Sequence, residues 1–174
     1  MKKHKNQPLV ETLDKIEKTS ASKPKEQACY VTLKGKCLFC VGGQKSQVTP
    51  NDTQVKTIKK LNKDLIVTHN HPYPYNSSIT GEDLQVVIGN NSAGVRAITK
   101  KYTYVAMRPK NGWGVSWSKA KQTYDSVYKT LKHQWNTDYQ NRKITKSFYE
   151  NNFTHEVMNE VSKKLKFVYF RFKN

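Results

Sequence analysis

The chain has 174 residues, which suits one domain with room for a terminal extension. Hydrophobic residues make up only 36% of it, but aromatic residues make up 11%, more than a disordered chain would carry. The formal net charge is +18, which indicates either a polyanionic partner, such as nucleic acid or an acidic protein, or simply a solvated surface. No run approaches the roughly eighteen apolar residues of a membrane span, and residues 1–10 lack the apolar segment of a signal peptide. We therefore expect a soluble protein in the cytoplasm of the cell that makes it.

The first part of the chain predicts strands and helices in alternation. Residues 1–24 are rich in lysine and predict a mobile arm or a loosely docked helix. Residues 27–48 predict a β-hairpin that turns at Gly35. A helix is predicted over residues 51–62, from apolar positions that recur on one face. The short apolar run 65–68 then predicts a buried strand.

The second part begins with a polar loop and a helix that starts near Thr80. Two strands are predicted at 94–99 and 102–107, before a change to long helical periodicity from Ser118 onward. The order is ββ-α-β-α-ββ followed by helices. It predicts an α/β core with a helical, basic C-terminal extension over residues 118–174.

Two histidines at the end of the predicted strand 65–68 form the strongest chemical motif. His69 and His71 are two positions apart, and alternate residues of a strand face the same side. Asp83 follows in the first turn of the next helix, so a strand-loop-helix unit can return its carboxylate to the strand end. Two neutral nitrogens and one carboxylate, with a fourth position for water, are typical of a catalytic zinc site. Simpler interpretations are a surface turn for the histidines and a helix capping box for Thr80 and Asp83.

These residues also carry a family resemblance. The run Thr-His-Asn-His-Pro at 68–72, followed by Thr80-x-x-Asp83, resembles the JAB/MPN (JAMM) metalloproteases, and especially their RadC-like and phage-encoded members. That family places a Glu before an early strand, and Glu26 is the matching position. The resemblance covers residues 25–115 or so. The chain departs from it by a longer gap before Thr80, by Thr in place of Ser, and by Tyr-Pro in place of Ser-Gly after the second His.

The resemblance implies a fold, a metal and an activity. The implied fold is α/β: a JAB/MPN-like, cytidine-deaminase-like mixed sheet flanked by helices over residues 25–117, preceded by the basic arm 1–24. The implied activity is a peptidase or isopeptidase that uses Zn²⁺. Its metal ligands would be His69, His71 and Asp83. Glu26 would be the general base for the zinc-activated water. Thr80 would stabilise the oxyanion, with Ser77 or Ser78 as a substitute.

A second hypothesis is a binding protein that retains the JAB-like fold without catalysis. Its basis is the positive charge, the basic extension 118–174, and the unusual loop between Pro72 and Ser78. Such a protein would bind nucleic acid or another polyanion, or be part of a virion. The first hypothesis instead requires a peptide or protein substrate. Both are compatible with a phage or mobile-element origin, hence with the host cytoplasm, and neither involves a membrane.

Three further motifs are open to more than one interpretation. Cys37-x-x-Cys40 fits a zinc or redox site, but residues three apart in a strand face opposite sides, so buried structural cysteines are favoured. The odd total of 3 cysteines indicates a reducing compartment. The run from His155 begins like a His-Glu-x-x-His zinc helix but has Asn159 in place of the second His. The tail 163–174 alternates aromatics with cations, which fits base stacking or, as favoured here, an edge strand.

Overall fold

A computed structural model describes residues 7–43, 48–72 and 77–174. The strands are Gln27–Thr32 (β1), Cys37–Gly42 (β2), Leu65–Asn70 (β3), Gly94–Ile98 (β4), Tyr102–Met107 (β5) and Val168–Lys173 (β6). The helices are Gln7–Ser20 (α1), Asp52–Leu61 (α2), Gly81–Gly89 (α3), Trp117–Gln140 (α4) and Lys146–Leu165 (α5), with a 3-10 turn at Asn62–Asp64. Within these ranges, no helix combines the length and apolar character needed to span a membrane.

The six strands form one sheet in the order β2-β1-β3-β4-β5-β6. Strands β3 and β4 run parallel, with α3 in the crossover between them, and the other neighbouring pairs are antiparallel. Every residue of β3 is buried, as expected for a strand with neighbours on both edges and helices on both faces. The prediction of an α/β protein with a mixed sheet flanked by helices is therefore confirmed.

Helix α1 packs on one face of this sheet. Leu13 lies in a small apolar cluster with Val31 and Ile66. One turn further on, the Glu17 carboxylate pairs with the guanidinium of Arg96 on β4. The contact is bidentate, and the Nη2–Oε2 distance is 2.8 Å. A mobile arm is therefore the wrong interpretation for residues 7–20, because the helix contributes both apolar packing and a buried ion pair. Residues 1–6 lie outside the described ranges.

The C-terminal residues lie on the opposite face of the sheet. Helices α4 and α5 belong to the main hydrophobic core, together with side chains of β1, β3, β4 and β5. Strand β6 then pairs with β5, with Val105 opposite Phe170. The predicted helices and the strand-like tail are both present. Residues 118–174 thus share one core with the sheet.

The cysteines differ from the expected arrangement. Cys29 and Cys40 are opposite each other on β1 and β2 and form a disulfide. A bulge at Leu38 shifts the register, so that Cys37 is opposite Val31 and its Sγ is 3.9 Å from the Cys40 Sγ. Cys37 and Cys40 therefore share one face and are exposed on an edge strand, so the prediction that both are buried is wrong, although Cys40 has a structural role in the disulfide. The extra bulge residue inverts the alternation on which that interpretation depended.

Candidate metal centre

His69 and His71 converge at the end of β3. His69 is opposite Ala28 of β1, and the backbone N–H of His71 donates to the Ile98 carbonyl at 2.7 Å, which continues the parallel ladder with β4. The two Nε2 atoms are 2.9 Å apart, and the side chains are only 3% and 9% exposed. The expectation that residues two apart place both imidazoles on one side is confirmed.

Asp83 joins them from the first turn of α3. Its Oδ1 lies 3.1 Å from the His69 Nε2, and its Oδ2 lies 3.8 Å from the His71 Nε2. The same residue completes the capping box, because Oδ2 accepts the Thr80 backbone N–H at 2.7 Å while the Thr80 hydroxyl accepts the Asp83 N–H. The capping interpretation and the three-residue cluster are thus both correct, since the cap fixes the carboxylate that faces the histidines.

A backbone carbonyl orients the His71 imidazole. Its Nδ1 is 2.8 Å from the Ser77 carbonyl oxygen, and His69 has a hydrogen bond to the backbone of Arg96. With Nδ1–H donating to the Ser77 carbonyl, the Nε2 of His71 keeps its lone pair for the cluster. Histidines that bind metals are held in this way, by a partner on the ring nitrogen that does not bind the ion.

The donor atoms fit one metal ion. One atom from each of His69, His71 and Asp83 lies within 4.8 Å of the other two. Ligands of a tetrahedral zinc site, each about 2.0–2.1 Å from the ion, are about 3.3 Å from one another. The two Nε2 atoms are 2.9 Å apart, and the nearest Asp83 oxygens lie 3.1 Å from His69 (Oδ1) and 3.8 Å from His71 (Oδ2), which is close to that value. The buried His69-His71-Asp83 group could therefore hold a metal ion.

Electrostatics couple the three groups. Burial raises the pKa of Asp83, but the neighbouring His69 and His71 outweigh it and hold that pKa well below its ordinary value. Burial lowers the pKa of His69, yet the Asp83 carboxylate and Glu26 raise it overall. Burial and the adjacent His69 lower the pKa of His71. The Asp83 carboxylate thus favours positive charge at the centre of the cluster.

Glu26 is half-buried beside this cluster. It precedes β1 by one residue and lies two positions before Ala28, on the His69 side of the sheet. Burial raises its pKa, His69 lowers it and Asp83 raises it, with a net upward shift. Glu26, His69 and Asp83 line one cavity of about 400 Å³. The residue predicted as general base is therefore next to the predicted ligands.

Asn70, between the two histidines, has a positioning role that the sequence did not reveal. Its side chain is fully buried on the other side of β3. Its Oδ1 accepts the Gln27 N–H at 2.8 Å, and its Nδ2 donates to the carbonyls of Lys23 and Lys25 at 3.4 and 3.2 Å. Because Glu26 lies inside this turn, Asn70 links the position of Glu26 to that of the histidines. An Asn between two predicted ligands was the available signal.

The hydroxyl groups near the cluster already have partners. Thr80 Oγ1 donates to Asp83 Oδ2 at 3.0 Å, and Ser77 Oγ is 3.1 Å from His71 Nδ1. Ser78 is fully buried, and its hydroxyl donates to the Thr154 carbonyl at 2.7 Å, which attaches the loop to α5. An oxyanion role for Thr80, Ser77 or Ser78 stays a prediction. The rest of the unusual loop between Pro72 and Ser78, residues 73–76, lies outside the described ranges.

His155 takes no part in the cluster. It lies on α5, where its Nδ1 is 2.8 Å from the Tyr169 hydroxyl, and burial together with Arg171 lowers its pKa to about 4. Among the residues that the structure describes, it belongs to no group of metal donors.

Comparisons with protein-family models, with curated proteins and with solved structures found no match for this chain. The interpretation of the site therefore depends on its geometry and on the short motif described above.

Proposed function

We propose that this protein is a zinc-dependent peptidase or isopeptidase of the JAB (JAMM) type, with a JAB/MPN-like fold. The observation that carries the proposal is the buried His69-His71-Asp83 cluster, in which two Nε2 atoms and a carboxylate converge and the Nδ1 of His71 faces a backbone carbonyl. Imidazole and carboxylate ligands from three residues, beside an open cavity, match the ligand type and number of catalytic zinc sites.

The proposed reaction divides its tasks among residues of the chain. Zn²⁺ bound by the cluster would lower the pKa of a bound water and polarise the amide carbonyl. Glu26 accepts a proton from the attacking water and returns it to the leaving nitrogen, a role that suits a half-buried carboxylate with a raised pKa. Thr80 holds Asp83 through the capping box, and its hydroxyl is the donor that we assign to the oxyanion.

Two measurements test this proposal. Protein purified without chelators should contain about one zinc per chain, as measured by inductively coupled plasma mass spectrometry. With a mixture of synthetic peptides as substrate, Glu26→Gln should keep the zinc and lose hydrolysis, by a factor of about 10²–10⁴. Glu82→Gln is the matched control, because Glu82 is an exposed carboxylate that lines the same cavity. Absence of zinc, or equal hydrolysis by both variants, would contradict the proposal.

A second candidate function is binding of nucleic acid or another polyanion, without chemistry. It is favoured by β6, where Val168, Phe170 and Phe172 are 55%, 45% and 42% exposed on one face of a basic strand. Exposed rings among cations can stack bases while the cations contact phosphates. A virion-associated role would fit the same surface.

Fluorescence anisotropy with a labelled single-stranded oligonucleotide distinguishes this candidate. Binding through phosphates should weaken steeply between 50 and 200 mM salt. The double substitution Phe170→Ala and Phe172→Ala should reduce it further, whereas Phe148→Ala, at an equally exposed ring on α5, should not. Binding that ignores salt, or that survives the β6 substitutions, would argue against this surface.

A further inference from the structure

The cavity beside the metal cluster is largely apolar away from the cluster itself. It has a volume of about 400 Å³, within the range of small-molecule sites. Its apolar walls come from β1, β3, β4, α3 and the loop before α2. The side chains are Ala28, Tyr30, Val48, Val67, Val86, Val87 and Val95.

These walls are fixed by the core. Val67, Val87 and Val95 are 6%, 0% and 1% exposed and belong to the main hydrophobic cluster, so their rotamers are held by packing. Val86 differs, since it is 45% exposed and therefore lies at the rim. A cavity with rigid aliphatic walls and one accessible rim is preformed, which lowers the entropic cost of filling it.

The polar groups of the cavity lie together. Glu26, His69 and Asp83 are the residues of the candidate centre, and Glu82 is exposed next to Asp83. Among the described residues that line the cavity, none is a lysine or an arginine. An acidic side chain would meet the Glu26 and Glu82 carboxylates here without a lysine or arginine among the described lining residues, and an uncharged polar side chain would lose its water to aliphatic walls.

We propose that this cavity receives an uncharged aliphatic side chain of the substrate, next to the amide bond at the metal centre. The inference rests on the function proposed above and narrows its substrate class to sequences with an aliphatic residue adjoining the cleaved bond. Aliphatic groups gain by leaving water for a fixed apolar cavity, and branched chains of leucine size contact valine walls on several sides.

Simple hydroxamic acids test the cavity without requiring turnover, because the hydroxamate group chelates zinc and the remainder probes the space beside it. Three neutral probes suffice: acetohydroxamate, 4-methylpentanohydroxamate, and succinamohydroxamate, whose terminal amide has nearly the shape of the isopropyl group. For zinc-loaded protein measured by calorimetry, we expect the branched chain to bind about tenfold or more tighter than acetohydroxamate. The amide should bind no tighter than acetohydroxamate.

A matched pair of variants tests whether the preference for the branched chain arises in this cavity. Val86 at the cavity rim and Val10 on α1 are both exposed valines on helices, 45% and 53% respectively. Val86→Phe should narrow the cavity and reduce the preference for the branched chain to about twofold or less, with zinc content unchanged. Val10→Phe should leave the preference as in the wild type. Full folding of both is checked by circular dichroism.

The outcomes separate this inference from the proposed function. If zinc binds and all three hydroxamates bind equally, the aliphatic site is overturned while the metal centre stands. Equal preferences in Val86→Phe and Val10→Phe would overturn the assignment to this cavity. If the protein takes up no zinc and none of the probes binds, both proposals fail.

Discussion

Two buried polar clusters lie on opposite faces of β3, and they are built on adjacent residues. On one face, Thr68 donates to Glu17 at 3.1 Å, and Glu17 is paired with Arg96. On the other face, His69 meets His71 and Asp83. Both clusters are largely buried, and both join a helix to the central strands.

The two clusters differ in whether their charges and hydrogen bonds are balanced without a further group. The Glu17 pair has one anion, one cation and a bidentate geometry, so its charges and hydrogen bonds are balanced without any further group. The His69 cluster brings two imidazole nitrogens and a carboxylate oxygen to one point, where three lone pairs face each other unless a proton or a cation lies between them. A closed ion pair is therefore a structural feature, whereas a convergence of lone pairs indicates a binding site.

The largest effect should come from removing a ligand. Asp83→Ala should lower zinc affinity by more than the roughly 10- to 100-fold that loss of an outer partner costs, because the substitution removes the only anion of the cluster. Competition with a zinc chelator measures it. Asp125→Ala, which removes an exposed carboxylate on α4, is the control. An unchanged zinc affinity in Asp83→Ala would mean that the His69-His71-Asp83 cluster has only a structural role, like the Glu17–Arg96 pair.

Breaking the Glu17–Arg96 ion pair should lower the free energy of unfolding and leave the metal content unchanged. Arg96→Met leaves the Glu17 carboxylate buried without its cation, and we expect the free energy of unfolding to fall by about 3–5 kcal/mol. The double substitution Glu17→Leu with Arg96→Met should have a free energy of unfolding much closer to that of the wild type. Urea denaturation measures both. A loss of bound zinc in folded Arg96→Met would mean that the two clusters are not independent.

Zinc should stabilise the protein through one cluster alone. At a free concentration 100 times the Kd, it should raise the free energy of unfolding by about 2.7 kcal/mol. The gain should shrink as the pH falls, beginning above the ordinary imidazole pKa of about 6.5, because the raised pKa of His69 lets protons compete with the metal there. Thermal denaturation with and without zinc tests this in wild type and in Asp83→Ala. Equal stabilisation of the two would point to zinc bound elsewhere.

Substitution of Thr80 should have the smallest effect, and it separates support of metal binding from helix capping. Thr80→Val removes the hydroxyl bonded to Asp83, and should lower zinc affinity by roughly 10- to 100-fold. Thr145→Val is a matched control, because Thr145 is the N-cap of α5 and far from the cluster in sequence; it should cost only about 1 kcal/mol of stability. Unchanged zinc affinity in Thr80→Val would leave the hydroxyl with capping or oxyanion stabilisation alone.

Local sequence patterns were sufficient to predict most of the helices and strands and the residues of the candidate metal centre. Alternation and turn residues predicted the hairpin of β1 and β2, helical spacing predicted α2 to α5, and the two-residue spacing predicted that His69 and His71 converge. These features depend on contacts between near neighbours in sequence, because the periodicity of apolar residues indicates which face of a helix or strand is buried.

Long-range partners were not predictable in the same way. The Glu17–Arg96 pair spans 79 positions, and the link from Asn70 to Gln27 spans 43. A polar residue in a lysine-rich segment or between two histidines carries no sign of its partner. The bulge at Leu38 was equally hidden, because one extra residue in β2 inverts a face without changing the composition.

The sequence by itself determined the α/β order of elements and the set of residues able to bind a metal, because both follow from local periodicity and from side-chain chemistry. Only the tertiary structure decided that the Nδ1 of His71 faces a carbonyl, that Glu26 shares a cavity with the ligands, and that aliphatic walls surround that cavity. These features arise where β1, β3, β4 and α3 meet, and such a meeting is a property of packing in three dimensions rather than of any single segment.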